Sequence, residues 1–194
     1  MRKLVFFVHA TLDGFIARAD DDLWERFQWG DEEMTFNNDL FRAADTWVLG
    51  RRMYEVIVPW WTEVAQGSTP EDVEQVSAGD REFAGLFGAM TKVAVSRTLE
   101  ERDGTTVIAD PVAGILALKQ QPGRDILLSC GPALLAAVAG EPGLVDEYLI
   151  IVHPAALGSG RPLFGRLRHE LPLELVETDS FPGGCVALRY RADR

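Results

Sequence analysis

Three short stretches of this sequence combine residue types that hold anions. Gly50-Arg51-Arg52 follows an apolar run at residues 46–49 and opens a segment rich in helix formers. A glycine turn into a helix leaves N–H groups without partners at the positive end of the dipole. Two arginines in that first turn oppose the dipole, so either an arriving anion accounts for them or they are solvated bystanders. Gly131-Pro132 follows the buried-strand pattern of residues 126–128, and Pro132 suits the first helical position because its missing N–H costs nothing there. This second turn is either an anion seat or an ordinary crossover without a ligand. Ser96-Arg97-Thr98, after the strand pattern at 92–95, offers a hydroxyl and a guanidinium to a phosphate, or forms a solvated turn. Three such seats along one sheet edge suit a ligand with several phosphates, such as a dinucleotide.

Three further residues could take part in chemistry. His9 ends the first apolar strand and either faces a ligand or is a satisfied core histidine. Asp13-Gly14 is a turn dipeptide placed directly after that strand, where open α/β sheets bind ligands, so Asp13 is a turn-former or a catalytic acid. At 100° per residue, Glu33 projects from the centre of the inward stripe that Phe36, Asn37, Leu40, Ala43 and Ala44 share. Its carboxylate is then paired or in a pocket, or it is a first-turn acid stabilised by the dipole. Other chemistries lack support. The three histidines and two cysteines show no metal-ligand spacing, and neither a G-x-S-x-G elbow nor a P-loop occurs.

The elements that must carry these residues alternate between strand and helix patterns. Residues 4–8 read as a strand apolar on both faces, hence central. After the acidic loop Asp20-Asp21-Asp22, a helix spans about 32–43 with Asp31 as its N-cap. The helix after Gly50 is expected to end at Pro59-Trp60-Trp61, with the tryptophans packed over the sheet. A short helix is expected at 80–87, a strand at 105–108, and a helix from the Asp110-Pro111 start to near Gln121. Residues 126–128, 133–139 and 148–152 form a strand–helix–strand unit, which implies a parallel crossover. Alternation at 171–177 and 186–190 around Pro182-Gly183-Gly184 reads as a closing antiparallel hairpin.

The totals bound the rest. The chain has 194 residues, 47% hydrophobic and 25% charged, which fits one α/β domain over 1–194 with a sizeable core. A net charge of -11 argues against nucleic acid or anionic membrane as a partner, leaving a small-molecule ligand. Sparse cysteine fits a reducing compartment. The apolar run at 4–8 is too short for a signal peptide, and no stretch approaches the ~20 apolar residues of a membrane span, so a cytoplasmic protein is expected.

Taken in order, residues 8–17 (with Leu-Asp-Gly-Phe-Ile-Ala), 48–55 (Leu-Gly-Arg-Arg-Met-Tyr-Glu), 92–99 (Val-Ser-Arg-Thr-Leu) and 144–164 (Leu-Val-Asp-Glu-Tyr to Leu-Gly-Ser-Gly-Arg-Pro-Leu-Phe) resemble the dihydrofolate reductase-like family. The likeness is to its branch related to the pyrimidine reductase domain of riboflavin biosynthesis, and it spans nearly the whole chain. The resemblance implies a three-layer α/β fold with a mostly parallel sheet of about eight strands, a C-terminal antiparallel hairpin, and NADPH across the strand ends. It implies that Gly50, Arg51 and Arg52 meet the pyrophosphate and 2′-phosphate, that Ser96 and Arg97 close on the adenosine phosphate, and that Gly131 with the N–H groups of Ala133 and Leu134 holds the other side. His9, Ala10 and Ile16 would line the nicotinamide. Glu33 would be the carboxylate that orients or helps protonate a pteridine or pyrimidine. Members of the branch often dimerise, and the strand at 148–153 is a candidate for a homodimer contact. Departures are Pro132 in place of a second glycine, and Met53 where dihydrofolate reductase has a phosphate-binding threonine. The implied activity is hydride delivery to a small heterocycle; the alternative is a nucleotide-binding sensor or sequestering protein without turnover.

Overall fold

Period-2 alternation in the first apolar run has a direct structural consequence. In β1 (Leu4–Thr11), Leu4, Phe6, Val8 and Ala10 enter one core while Val5 and Phe7 enter another on the opposite face. A strand buried on both faces belongs in the middle of a sheet. The computed structural model describes residues 1–19, 30–70, 75–100 and 104–192, and the expected acidic loop at Asp20-Asp21-Asp22 lies outside them.

The chain runs β1, β2 (Phe15–Ala17), α1 (Asp31–Ala43), β3 (Ala44–Gly50), α2 (Arg51–Ala65), α3 (Ala78–Ala89), β4 (Thr91–Val95), β5 (Thr105–Ile108), α4 (Pro111–Gln120), β6 (Asp125–Ser129), α5 (Pro132–Ala139), β7 (Glu147–His153), β8 (Arg161–Pro162), β9 (Leu173–Ser180) and β10 (Val186–Ala192). The sheet is 8-stranded in the order β5-β4-β3-β6-β1-β7-β10-β9. Neighbours from β5 through β7 pair in parallel, and β10 and β9 close it as an antiparallel hairpin. Helices α4 and α5 cover one face through Ile115, Leu135 and Val138. Helices α1, α2 and α3 cover the other through Phe41, Tyr54, Phe83 and Phe87. Each fully buried Phe or Leu of these cores contributes roughly 1.5–3 kcal/mol. The result is the expected three-layer α/β arrangement, mostly parallel with a C-terminal hairpin.

Several local expectations are corrected. Gly30, not Asp31, caps α1, so Asp31, Glu32 and Glu33 all lie in the first turn, where the dipole favours them. The buried stripe of α1 is Glu33, Asn37, Asn38 and Phe41, because α3 packs on a second side and Asn38 Nδ2 donates to Gly79 O at 3.2 Å. Met34 is half-buried there too. Helix α2 runs through Pro59 to Ala65. Pro59 and Glu55 are both exposed, so the carbonyl that loses its donor is open to water. Packing holds the extra turn together, since the Trp61 ring lies against Phe83 of α3 with centroids 4.3 Å apart. Strand β7 is flanked by β1 and β10, so the strand suggested for a homodimer contact has no open edge. The pairing of β2 with β8 was not visible in so short a stretch as Phe15–Ala17.

Candidate active site

The sheet order decides which loops meet. With β4, β3, β6, β1 and β7 side by side and parallel, residues at or near their C-terminal ends fall along one edge: Ser96, Gly50, Gly131, His9 and His153. A cleft of about 890 Å³ opens at this edge, a size that takes a cofactor. Its walls come from α1, α2 as far as Trp61, α3, the first turn of α5, and the flap that β2 makes with β8.

Two helix N-termini converge at one end. Gly50 caps α2 and Gly131 caps α5, neither with a side-chain cap bond, so the first-turn N–H groups stay open to a ligand. A Cβ at Gly50 would sit 3.4 Å from Cys130 Cβ, so this glycine lets the two turns pack together. At Gly131 an added Cβ meets nothing within 4 Å, because the position faces the cleft. Ala133 and Leu134 also line it. Arg51 and Arg52 reach the same wall, and Arg51 additionally pairs with Glu55 at 3.3 Å. That exposed pair answers part of the dipole mismatch within α2 and contributes little stability. Ser96 and Arg97 stand apart from the cleft lining. The Ser96 hydroxyl accepts from the Thr98 and Leu99 amides at 3.1 and 3.0 Å, a local turn, and Arg97 is exposed.

At the other end stand His9 and Ile16. Ala10 does not join them, since strand alternation sends it into the opposite core. Asp13 also lies outside the lining. It accepts from Thr11 Oγ1 at 2.5 Å, Leu157 N at 3.2 Å and Gly158 N at 2.7 Å. Those bonds, Thr11's first, hold its carboxyl below the usual range. The residue clasps the turn before β2 to the segment before β8, and just past β8 Leu163 N donates to Gly14 O at 2.8 Å.

Glu33 is 5% exposed, and its Oε1 has no hydrogen-bond partner among the described residues. Its carboxylate is enclosed by backbone, since a Cβ at Gly183 would lie 2.6 Å from Oε1 and one at Gly30 2.5 Å from Oε2. It shares a small cavity with His9, Asn37, His153 and Cys185, and His9 and Asn37 also border the main cleft. His9 Nδ1 lies 2.9 Å from His153 Nε2, and His153 Nδ1 lies 3.2 Å from Cys185 Sγ. Burial, then the neighbouring His153, push His9 well below 6.5, and burial pushes His153 down to about 4. Burial and the Glu33 carboxylate push the Cys185 thiol up. The structure thus brings Glu33 and His9 to one corner and leaves Asp13 away from it.

This histidine pair makes stability depend on pH. Unfolded histidines bind protons near 6.5 while the folded pair does not, so the unfolded state holds more protons below that pH. The stability present above 6.5 is lost progressively as pH falls toward about 4. Melting curves should show this loss, and His153→Phe should flatten it.

Other cleft residues were not singled out from sequence. Trp47 Nε1 donates to Ser129 Oγ at 3.0 Å, and Ser129 donates to Phe7 O at 3.0 Å, forming a polar floor. As interior strand positions they carried no signal. Arg161 and Arg166 stand on the flap side. The Gly-Ser-Gly-Arg-Pro run around Arg161 was such a signal. Among the described residues no helix is long and apolar enough to cross a membrane.

Comparison with known proteins agrees with this architecture. The model of the RibD C-terminal domain family matches residues 2–187. The chain is 28% identical to the uncharacterized protein YyaP of Bacillus subtilis (strain 168), over 97% of this chain and 94% of that one. Among solved structures, a pyrimidine reductase-like protein from Corynebacterium diphtheriae superposes with a TM-score of 0.66 at 16% identity, covering 100% of this chain and 92% of that one. Dihydrofolate reductase from Enterococcus faecalis, complexed with NADP(H) and RAB-propyl, gives 0.62 at 14% identity, covering 99% and 97%. At these identities the two structures speak for the fold alone, which is dihydrofolate reductase-like. With a family model spanning nearly its whole length, the chain belongs to the RibD C-terminal domain family.

Proposed function

We propose that this chain is an NADPH-dependent reductase that delivers hydride to a C=N or C=O bond of a small pteridine- or pyrimidine-like heterocycle. One observation carries the reading. The main cleft has two uncapped helix N-termini in its lining, and His9 and Asn37 border both it and the small cavity that holds the buried Glu33 carboxylate. The relatives support it, since one is a pyrimidine reductase-like protein and another is complexed with NADP(H).

The residues fit a dinucleotide. The N–H groups of Ala133 and Leu134, with Gly131 leaving room for close approach, would hold the pyrophosphate. Arg52 would take the 2′-phosphate, with Arg51 beside it. His9 and Ile16 would bound the nicotinamide, and Glu33 would accept from the N–H edge of the heterocycle. When bound, NADPH supplies the hydride, and the protein supplies orientation and electrostatics. The flap clasped by Asp13 limits water access over the His9 end. The test is a panel of pyrimidines and pteridines offered with NADPH. The reading expects cofactor oxidation with at least one of them, whereas saturable binding without oxidation across the panel points to a sequestering or sensing protein.

A further inference from the structure

We infer that His9 is the electrophilic hydrogen-bond donor of this site, held by Cys185 and His153 with its proton on Nε2, and that it receives the oxygen or nitrogen of the bond being reduced. This rests on the reductase reading and adds the polarity of the substrate edge facing His9.

The argument begins with strand periodicity. His9 on β1, His153 on β7 and Cys185 just before β10 lie on one face of three adjacent strands, under α1. Cys185 is 2% exposed, and His153 Nδ1 is its hydrogen-bond partner among the described residues. The Glu33 Oε1 beside it takes no bond from the thiol. Burial and that carboxylate keep the thiol protonated. Among the described residues this buried S–H has one hydrogen-bond partner and donates to it, so His153 Nδ1 is an acceptor. A neutral imidazole carries one N–H, so that of His153 is on Nε2, which donates to His9 Nδ1 at 2.9 Å. His9 is left with its N–H on Nε2. Both rings stay neutral at pH 7 because burial disfavours their charge, and among the described residues the titratable groups that share their cavity are Cys185 from the β10 side and Glu33 from α1.

A fixed N–H at the cleft donates to a carbonyl oxygen or an unprotonated ring nitrogen and disfavours an amino group or ring N–H in that place. As hydride and its electron pair pass from the reduced nicotinamide to carbon, the C=O or C=N π pair moves onto oxygen or nitrogen. The negative charge growing there strengthens its bond to Nε2–H, and water then supplies the proton that completes the O–H or N–H. His9 keeps its own proton throughout. His153 and Cys185 are positioning residues.

Histidine ring-nitrogen NMR on the full-length protein at neutral pH, without cofactor or substrate, reads the tautomers directly. We expect Nε2–H at both His9 and His153, retained in Cys185→Ser and scrambled at His153 in Cys185→Ala. An Nδ1–H tautomer or an imidazolium at His9 overturns the inference. In turnover, His9→Phe should lower kcat roughly 100- to 1000-fold with the NADPH Kd within about 2-fold, and His9→Asn, which keeps a donor, should recover part of the rate. Unchanged kcat in His9→Phe overturns the inference while leaving the reductase reading intact. A wild-type protein that oxidises no NADPH overturns that reading, and the catalytic role with it, even where the tautomers are as expected.

Discussion

Gly131→Val is expected to abolish NADPH binding while leaving the fold unchanged. The backbone at Gly131 is extended (φ -80, ψ 175), a conformation that valine adopts freely. A Cβ there meets no protein atom within 4 Å, so no core or strand has to move. The isopropyl group instead occupies cleft space in front of the Ala133 and Leu134 amides, where the pyrophosphate needs close backbone approach. We expect a loss of at least about 100-fold in affinity, roughly 2.7 kcal/mol, with a melting temperature within about 2 °C of wild type. Calorimetric titration with NADPH, paired with a thermal melt, checks both halves. Unchanged affinity would remove Gly131 from the cofactor site.

Arg52→Ala is expected to separate NADPH from NADH. A guanidinium bonded to the 2′-phosphate contributes about 1.5–3 kcal/mol, so its removal should weaken NADPH roughly 10- to 100-fold. NADH lacks that phosphate and should weaken by no more than about 2-fold. Arg97→Ala is the informative companion. Sequence alone pairs it with Arg52, but it is exposed and outside the cleft lining, so it should add nothing to the Arg52→Ala loss. Equal losses for both cofactors in Arg52→Ala would make that arginine a general electrostatic contributor rather than a 2′-phosphate ligand.

These two variants also mark what was legible in the sequence. The fold was readable because its signals are local and repeated. Apolar runs ending in glycine turns gave the parallel strands, and the Asp110-Pro111 cap gave α4, where Asp110 accepts from Val112 and Ala113 as expected. The convergence of Gly50 and Gly131 followed from strands of one sheet presenting their C-terminal ends together. What failed was whatever depended on tertiary neighbours. Helix α2 outran Pro59 because Trp61 found Phe83 on α3, and no local rule foretells that contact. Ser96 looked like a phosphate ligand by residue type, and the structure places its hydroxyl outside the cleft lining, accepting from the Thr98 and Leu99 amides of its own turn. Asp13 read more as a turn-former than as a catalytic acid, and its three bonds tie it to the flap. The grouping of His9, His153 and Cys185 joins positions far apart in the chain, so only the strand order reveals it.

The most direct measurement of the central claim follows a label. NADPH carrying deuterium at the transferring position of the nicotinamide C4 is incubated with the wild-type protein and a panel of pyrimidines and pteridines, and each heterocycle is then examined by mass spectrometry. The account predicts deuterium on a ring or exocyclic carbon of at least one of them, and its disappearance in Gly131→Val. Saturable NADPH binding with no deuterium in any product would contradict it and leave a nucleotide-binding protein without turnover.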